Sequence, residues 1–155
     1  MVEQPDSVTA AVVDVDAIAA TGRGINGSAG TVYLQNGADR PGWGWVRIAN
    51  RNGLTNRDTS KDMTDLPSPS LCEPGEARDA FFLVEEYGTL NLTDDTQISD
   101  LQMDSTGRLQ LNGHTLTIRS RRHALSGTVV EGGTAENPGR IVWLRRDAPS
   151  FLFVR

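Results

Sequence analysis

Glycine recurs at a fixed interval ahead of short alternating segments, and this recurrence constrains the chain more than any other feature. Gly88-Thr89-Leu90-Asn91-Leu92 is followed nineteen residues later by Gly107-Arg108-Leu109-Gln110-Leu111, and twenty after that by Gly127-Thr128-Val129-Val130-Glu131. An interval of about 20 residues is that of one unit in a stacked repeat, where each unit buries its apolar face only by lying on its neighbours. Gly30-Thr31-Val32-Tyr33-Leu34 has the same form, so four strands of one type are expected to begin on glycine.

Each later repeat carries a second strand: Gln97 to Met103, His114 to Arg119 and Arg140 to Leu144. Leu90 and Leu92 alternate with Thr89 and Asn91, and Leu116 and Ile118 with Thr115 and Thr117, the period of two of a half-buried strand. Turn residues fall between: Asp94-Asp95, Asp104-Ser105-Thr106-Gly107, Asn112-Gly113, Glu131-Gly132-Gly133 and Asn137-Pro138-Gly139. Asn-Gly alone would suggest a hairpin. The glycine-aligned recurrence favours instead a coil that advances one strand spacing, about 4.8 Å, per turn. From about Tyr87 onward the pattern is strand, turn, strand, turn. Leu109 faces inward between Leu90 and Val129, and Gln110 faces solvent beside Asn91.

The N-terminal half is less regular. Val13, Val15 and Ala17 alternate with Asp14, Asp16 and Ile18 as in a strand, while Val8, Ala11, Val12, Val15 and Ile18 also share one helical face. A strand is favoured, because the glycine-rich stretch Thr21 to Gly30 leads straight into Thr31-Val32-Tyr33-Leu34; a terminal capping helix is the alternative. Trp45 to Ala49 and Phe81 to Glu85 are further strand candidates. Between them Asn50 to Arg78 is polar, holds Pro67, Pro69 and Pro74, and reads as a long loop extending from the stack. The expected organisation is one domain over 1–155, with N-terminal coils or a cap at 1–49, a loop insertion at 50–79 and regular coils at 80–155.

A chain of 155 residues is long enough for one domain with a real core, since folded chains of this size bury roughly 70% of the surface of the unfolded chain. With 20 Asp and Glu against 15 Lys and Arg, and basic residues scattered apart from Arg119, Arg121 and Arg122, a nucleic-acid partner is not expected. The longest apolar stretch, Ala10 to Ala20, is interrupted by Asp14 and Asp16, so no membrane insertion is expected. Cys72 is the only cysteine; it allows no intrachain disulfide or cysteine-based metal site and reads as a structural or loop thiol. Met1 to Asp6 lacks the charged and apolar regions of a secretory signal. The repeats run almost to the C-terminus, so the chain is expected to be a segment of a longer exported protein.

The phrases Gly-Thr-Val-Tyr-Leu (30–34), Gly-Thr-Leu-Asn-Leu (88–92) and Leu-Asn-Gly-His-Thr-Leu-Thr-Ile (111–118) resemble the repeats of large parallel β-helix proteins exported by bacteria, including autotransporter-type passengers and pectin-lyase-like surface proteins. The resemblance covers about half of the chain. It implies an all-β fold, a right-handed parallel β-helix (β-solenoid) with coils of about 19–20 residues and a long loop insertion. It also implies an extracellular or cell-surface location. Such proteins serve as adhesins and stalks and, in a subset, as polysaccharide lyases or hydrolases; the fold by itself selects none of these.

Pectin-degrading hydrolases of this fold carry Asn-Thr-Asp, Asp-Asp, Gly-His-Gly and Arg-Ile-Lys segments on neighbouring coils. Here Asp94-Asp95, Gly113-His114 and Arg140-Ile141 follow in that order, but no Asn-Thr-Asp precedes them, Thr115 follows the histidine and Val142 follows the isoleucine. An inverting hydrolase needs an acid and a carboxylate base about 6.5–9.5 Å apart. Losing one acidic segment removes much of that machinery, so the expectation is non-catalytic, with Asp94, Asp95, His114 and Arg140 as the residues an enzyme would use. The simpler reading makes Asp94-Asp95 a turn, Asn112-Gly113 a turn with positive φ and His114 the start of a strand.

Asp94, Asp95, Asp100 and Asp104 are the carboxylates a calcium site would draw on, but they lack any calcium-loop spacing. No metal or cofactor is expected. Trp43 and Trp45, with Tyr33, Phe81 and Phe82, could form a carbohydrate-stacking platform, against the plainer reading that they cover the core or an end of the stack. His123, beside Arg121 and Arg122, reads as a solvated turn residue. The expected partners are a polysaccharide or a second copy pairing through strand ends, including Phe151-Leu152-Phe153-Val154. The sequence thus reads as a non-catalytic structural or adhesive module, with a carbohydrate-active β-helix or a glycan-binding module as the alternatives.

Overall fold

The computed structural model describes residues 21–22, 25–26, 31–35, 38, 42–50, 63–66 and 79–145. Outside these lie the alternating stretch around Val8 to Ile18, Pro67, Pro69, Cys72, Pro74 and Phe151-Leu152-Phe153-Val154.

The described residues are all-β, in thirteen strands. They are β1 (Thr21–Gly22), β2 (Ile25–Asn26), β3 (Thr31–Leu34), β4 (Trp45–Ala49), β5 (Thr64–Leu66), β6 (Phe81–Glu85), β7 (Thr89–Leu92), β8 (Thr96–Ile98), β9 (Asp100–Met103), β10 (Arg108–Gln110), β11 (Thr115–Arg121), β12 (Thr128–Val130) and β13 (Arg140–Arg145). Sheet one has the order β5-β7-β10-β12 and sheet two β8-β11-β13, and both are wholly parallel. Sheet three, β3-β4-β6-β9, is parallel except at its first pair. A two-residue antiparallel ladder joins β1 and β2.

From β6 onward the chain visits the sheets in rotation: three, one, two, three, one, two. Each return lands in register on the previous visit, so equivalent residues form columns. Leu109 lies between Leu90 and Val129, Ile118 between Ile98 and Trp143, Phe82 between Val46 and Leu101, and Val84 between Ile48 and Met103. Nearly all of these are buried in one core, each such side chain contributing about 1.5–3 kcal/mol. The expected inward parity of sheet one holds, since Leu90 and Leu109 are fully buried. Val129 continues their column but is 37% exposed, because β12 is the last strand of its sheet among the described residues.

The aligned glycines have a steric cause. A Cβ on Gly107 would sit 2.6 Å from the Val84 carbonyl oxygen, and one on Gly127 would sit 2.3 Å from that of Gly107. The stack packs corner on corner too closely for any side chain. At Asn112-Gly113 the reason is conformational: φ is 51° and 85°, and the His114 N–H donates to the Leu111 carbonyl at 2.8 Å, closing the expected tight turn.

Four expectations are corrected. Gln97 to Met103 is two strands in different sheets, because Ile98 and Leu101 are both buried although opposite in parity, and the chain bends at the fully buried Ser99. Each full repeat therefore has a third face. Thr31–Leu34 is a strand, but it pairs antiparallel with β4 in sheet three and is no copy of β7, β10 and β12. The polar stretch from Asn50 to Arg78 contains β5, which pairs in parallel with β7 through Thr64 and Leu90, Asp65 and Asn91, and Leu66 and Leu92.

The fourth correction concerns the outer face of β7, which is not solvated: Thr89 and Asn91 are buried. The Asn91 amide donates to Asp65 Oδ1 at 2.7 Å and its oxygen accepts from Asn112 Nδ2 at 2.6 Å, so neighbouring strands shield it on both sides.

The columns set the cost of substitution. Leu109→Ala should lower unfolding free energy by about 2–5 kcal/mol and Gly127→Ala by about 1–3 kcal/mol, while Gln110→Ala should change it by less than about 1 kcal/mol, all read by urea denaturation.

Candidate functional site

The turn between β7 and β8 and the turn between β10 and β11 lie side by side, because β8 and β11 pair through Thr96 and Leu116. This brings Asp95 next to His114, with His114 Nδ1 3.7 Å from Asp95 Oδ1. Pairing of Thr115 with Arg140 adds the arginine, whose N–H donates to the His114 carbonyl at 3.1 Å and whose Nε donates to the Thr115 hydroxyl at 3.3 Å. Three of the four candidate catalytic residues thus share one corner. Their hydrogen bonds are architectural. Asp95 Oδ1 accepts from the Thr115 N–H at 2.7 Å, and Asp94 Oδ1 from the Asp95 N–H at 2.7 Å. The Asp95 side chain is 70% exposed. An exposed carboxylate bound to a backbone N–H has none of the burial that raises a catalytic acid.

The four aspartates of the calcium reading do not converge. Asp100 Oδ1 accepts from the Leu101 N–H at 2.8 Å and the Ser120 hydroxyl at 2.6 Å, within the β-stack. Among the described residues no group of three His, Cys, Asp or Glu side chains is placed to hold a metal ion.

Asp104 has a larger structural role than its place in a turn suggests. Its Oδ1 accepts from the Thr106 N–H at 2.7 Å, the Thr106 hydroxyl at 2.8 Å and the Gly107 N–H at 2.7 Å. Its Oδ2 accepts from the Glu86 N–H, one repeat earlier, at 3.1 Å. Glu86 and Tyr87 have φ of 46° and 67°, a left-handed pair built without glycine, which is costly unless the surroundings hold it. Asp104 holds the first N–H, and the Thr106 hydroxyl accepts the second at 3.0 Å. Partial burial pushes the Asp104 carboxyl up, but bonds from Glu86, Thr106 and Gly107 together outweigh it and hold the group below the ordinary carboxylate range.

The tryptophans pack on a third ring. Trp45 lies 5.4 Å from Phe81 at 39°, and Trp43 lies 6.0 Å away edge-on at 71°. Phe81 is buried beneath them, and both tryptophans are half-buried. Tyr33, over Gly44 at the edge strand β3, and Tyr87 are the more exposed aromatic residues.

Arg119, expected as part of a weak basic cluster, points across a corner. Its Nη2 donates to Asp79 Oδ1 and to the Ser99 hydroxyl, tying sheet two to the segment before β6. His123 is not simply solvated: both ring nitrogens lie near backbone carbonyls and its edge meets Trp143. No sequence pattern separates these two residues from ordinary surface side chains, since their partners are set by strand stacking.

Among the described residues no helix is long and apolar enough to cross a membrane. Comparison with protein-family models, curated proteins and solved structures finds no match.

The depressed Asp104 carboxyl has a definite sign. Its folded-state value lies below its unfolded one, so it adds stability above the unfolded value, and this is lost as pH falls through the folded value. Asp104→Asn, which turns an amide toward backbone donors, should cost about 1–2 kcal/mol near neutrality. The gap between variant and parent in urea midpoint should shrink as pH is lowered from about 6 toward about 2.

Proposed function

We propose that the chain is a right-handed parallel β-helix and serves as a non-catalytic structural or adhesive module of an exported bacterial surface protein. The observation that carries this reading is the rotation of the chain through three sheets, with each return in parallel register 19 or 20 residues on, as from Leu90 to Leu109 and from Ile98 to Ile118. Right-handedness is supported by the strong preference of crossovers between parallel strands for that hand. A stack held by continuous backbone ladders is stiff and lengthens by whole turns, which suits material that must stand off from a surface. The exported setting rests on the likeness of residues 30–34, 88–92 and 111–118 to surface-protein repeats.

A second reading is favoured by one observation, the meeting of Asp95, His114 and Arg140 at one corner, which a carbohydrate-active enzyme of this architecture would use. It is the weaker reading, because the Asp94 and Asp95 carboxylates already bind backbone N–H groups. A glycan-binding role for Trp43 and Trp45 would require an exposed flat pair, whereas these rings are half-buried on Phe81 at different angles.

Two measurements separate the readings. Incubation with pectins and other acidic polysaccharides should release no new reducing ends or unsaturated products; turnover lost in Asp95→Asn would establish the enzyme instead. Antibody raised against the chain should label intact source cells, and labelling only after permeabilisation would refute the surface assignment.

A further inference from the structure

After β11 the chain runs along β9 through residues 122–126, which form no regular strand. Backbone attachment there includes the Ser126 N–H donating to the Met103 carbonyl at 3.3 Å. His123 supplies the other ties. Its Nε2 lies 2.8 Å from the Leu101 carbonyl oxygen on β9, and its Nδ1 lies 3.1 Å from the Arg121 carbonyl oxygen.

Carbonyl oxygens only accept. A neutral imidazole has one N–H and one lone pair, so it fills one contact and turns a lone pair toward the other oxygen; a doubly protonated ring donates to both. Asp100 Oδ1, 3.8 Å from Nε2, adds an attraction that exists only for the charged ring. The ring edge meets Trp143 with centroids 4.9 Å apart at 67°. Trp143 pairs with Ile118 on the last strand of sheet two and is half-buried against the core.

We propose that His123 is a proton-operated clasp: the doubly protonated ring pins residues 122–126 to β9 and over Trp143, and loss of one proton releases one of its two carbonyl contacts. The charged groups around it are Asp100 from β9 and, in its own segment, Arg121 and Arg122; β13 presents Trp143, which carries no charge. Asp104, at the far end of β9, has its carboxylate engaged by the neighbouring turns. The clasp depends on neither the handedness nor the function proposed above.

Histidine is the side chain whose charge ordinarily changes between about pH 5 and about pH 8. Amide hydrogen exchange, corrected for intrinsic rates, should show the Ser126 N–H about threefold to tenfold more protected at the acid end in the parent chain and in His114→Gln. In His123→Gln, whose amide does not titrate, that difference should vanish. The Leu109 amide serves as the core reference and should not follow Ser126. Equal protection at both pH values in the parent, an undiminished response in His123→Gln, or a parallel change at Leu109 would overturn the clasp.

Discussion

The tightest constraint in this molecule is the approach of one corner to the next, where Gly107 and Gly127 lie so close to the carbonyls of the preceding turn that a single methyl group would not fit. Everything else follows from that closeness. Corners that touch hold successive strands at ladder distance, the ladder fixes the register, and the register puts leucine over leucine in the core. Hydrogen bonds at the corners then join one repeat to another, as Asp104 does for Glu86 and Asp95 for Thr115. Stability in such an arrangement is a matter of neighbours, each turn completing the polar groups of the one before it.

Much of this was legible in the sequence because sterics leaves a mark that a single chain can show. Glycine at 88, 107 and 127 records close approach, and alternation at 90, 92, 109, 116 and 118 records the inward face. The third face was hidden by treating 97–103 as one strand; the clue was present, since Ile98 and Leu101 cannot share a face without a bend at Ser99. Thr31–Leu34 has the local form of a repeat, but strand direction is decided by partners, and β4 receives it antiparallel. β5 is three residues in a polar stretch, too short to carry a period, and becomes a strand through its ladder with β7.

The candidate site was legible in part. Repeat alignment predicts that Asp95, His114 and Arg140 approach one another, and they do. Their hydrogen bonds were not legible, because a turn aspartate and a catalytic aspartate look alike until the acceptors are counted. Asp104 shows the same limit. Grouped with other acidic residues it suggested a cation, whereas its oxygens take backbone N–H groups from two turns. In this fold the conspicuous polar residues at the corners are largely occupied in holding the corners.

The spacing between sheet-two strands points to where such a chain can change length over evolution. Ile98 and Ile118 pair 20 residues apart, but Ile118 and Trp143 pair 25 apart, and their register is unaffected. The extra residues are taken up around Gly132 and Gly133, where positive φ and a bridge between Gly133 and Pro138 carry the chain out and back. A larger excursion separates β4 from β6, whose pairing is equally regular. One residue added inside a strand would reverse the facing of every side chain beyond it. The same addition at either excursion leaves the core untouched, so these two corners are the places where new sequence, natural or grafted, can be displayed while the stack beneath stays the same.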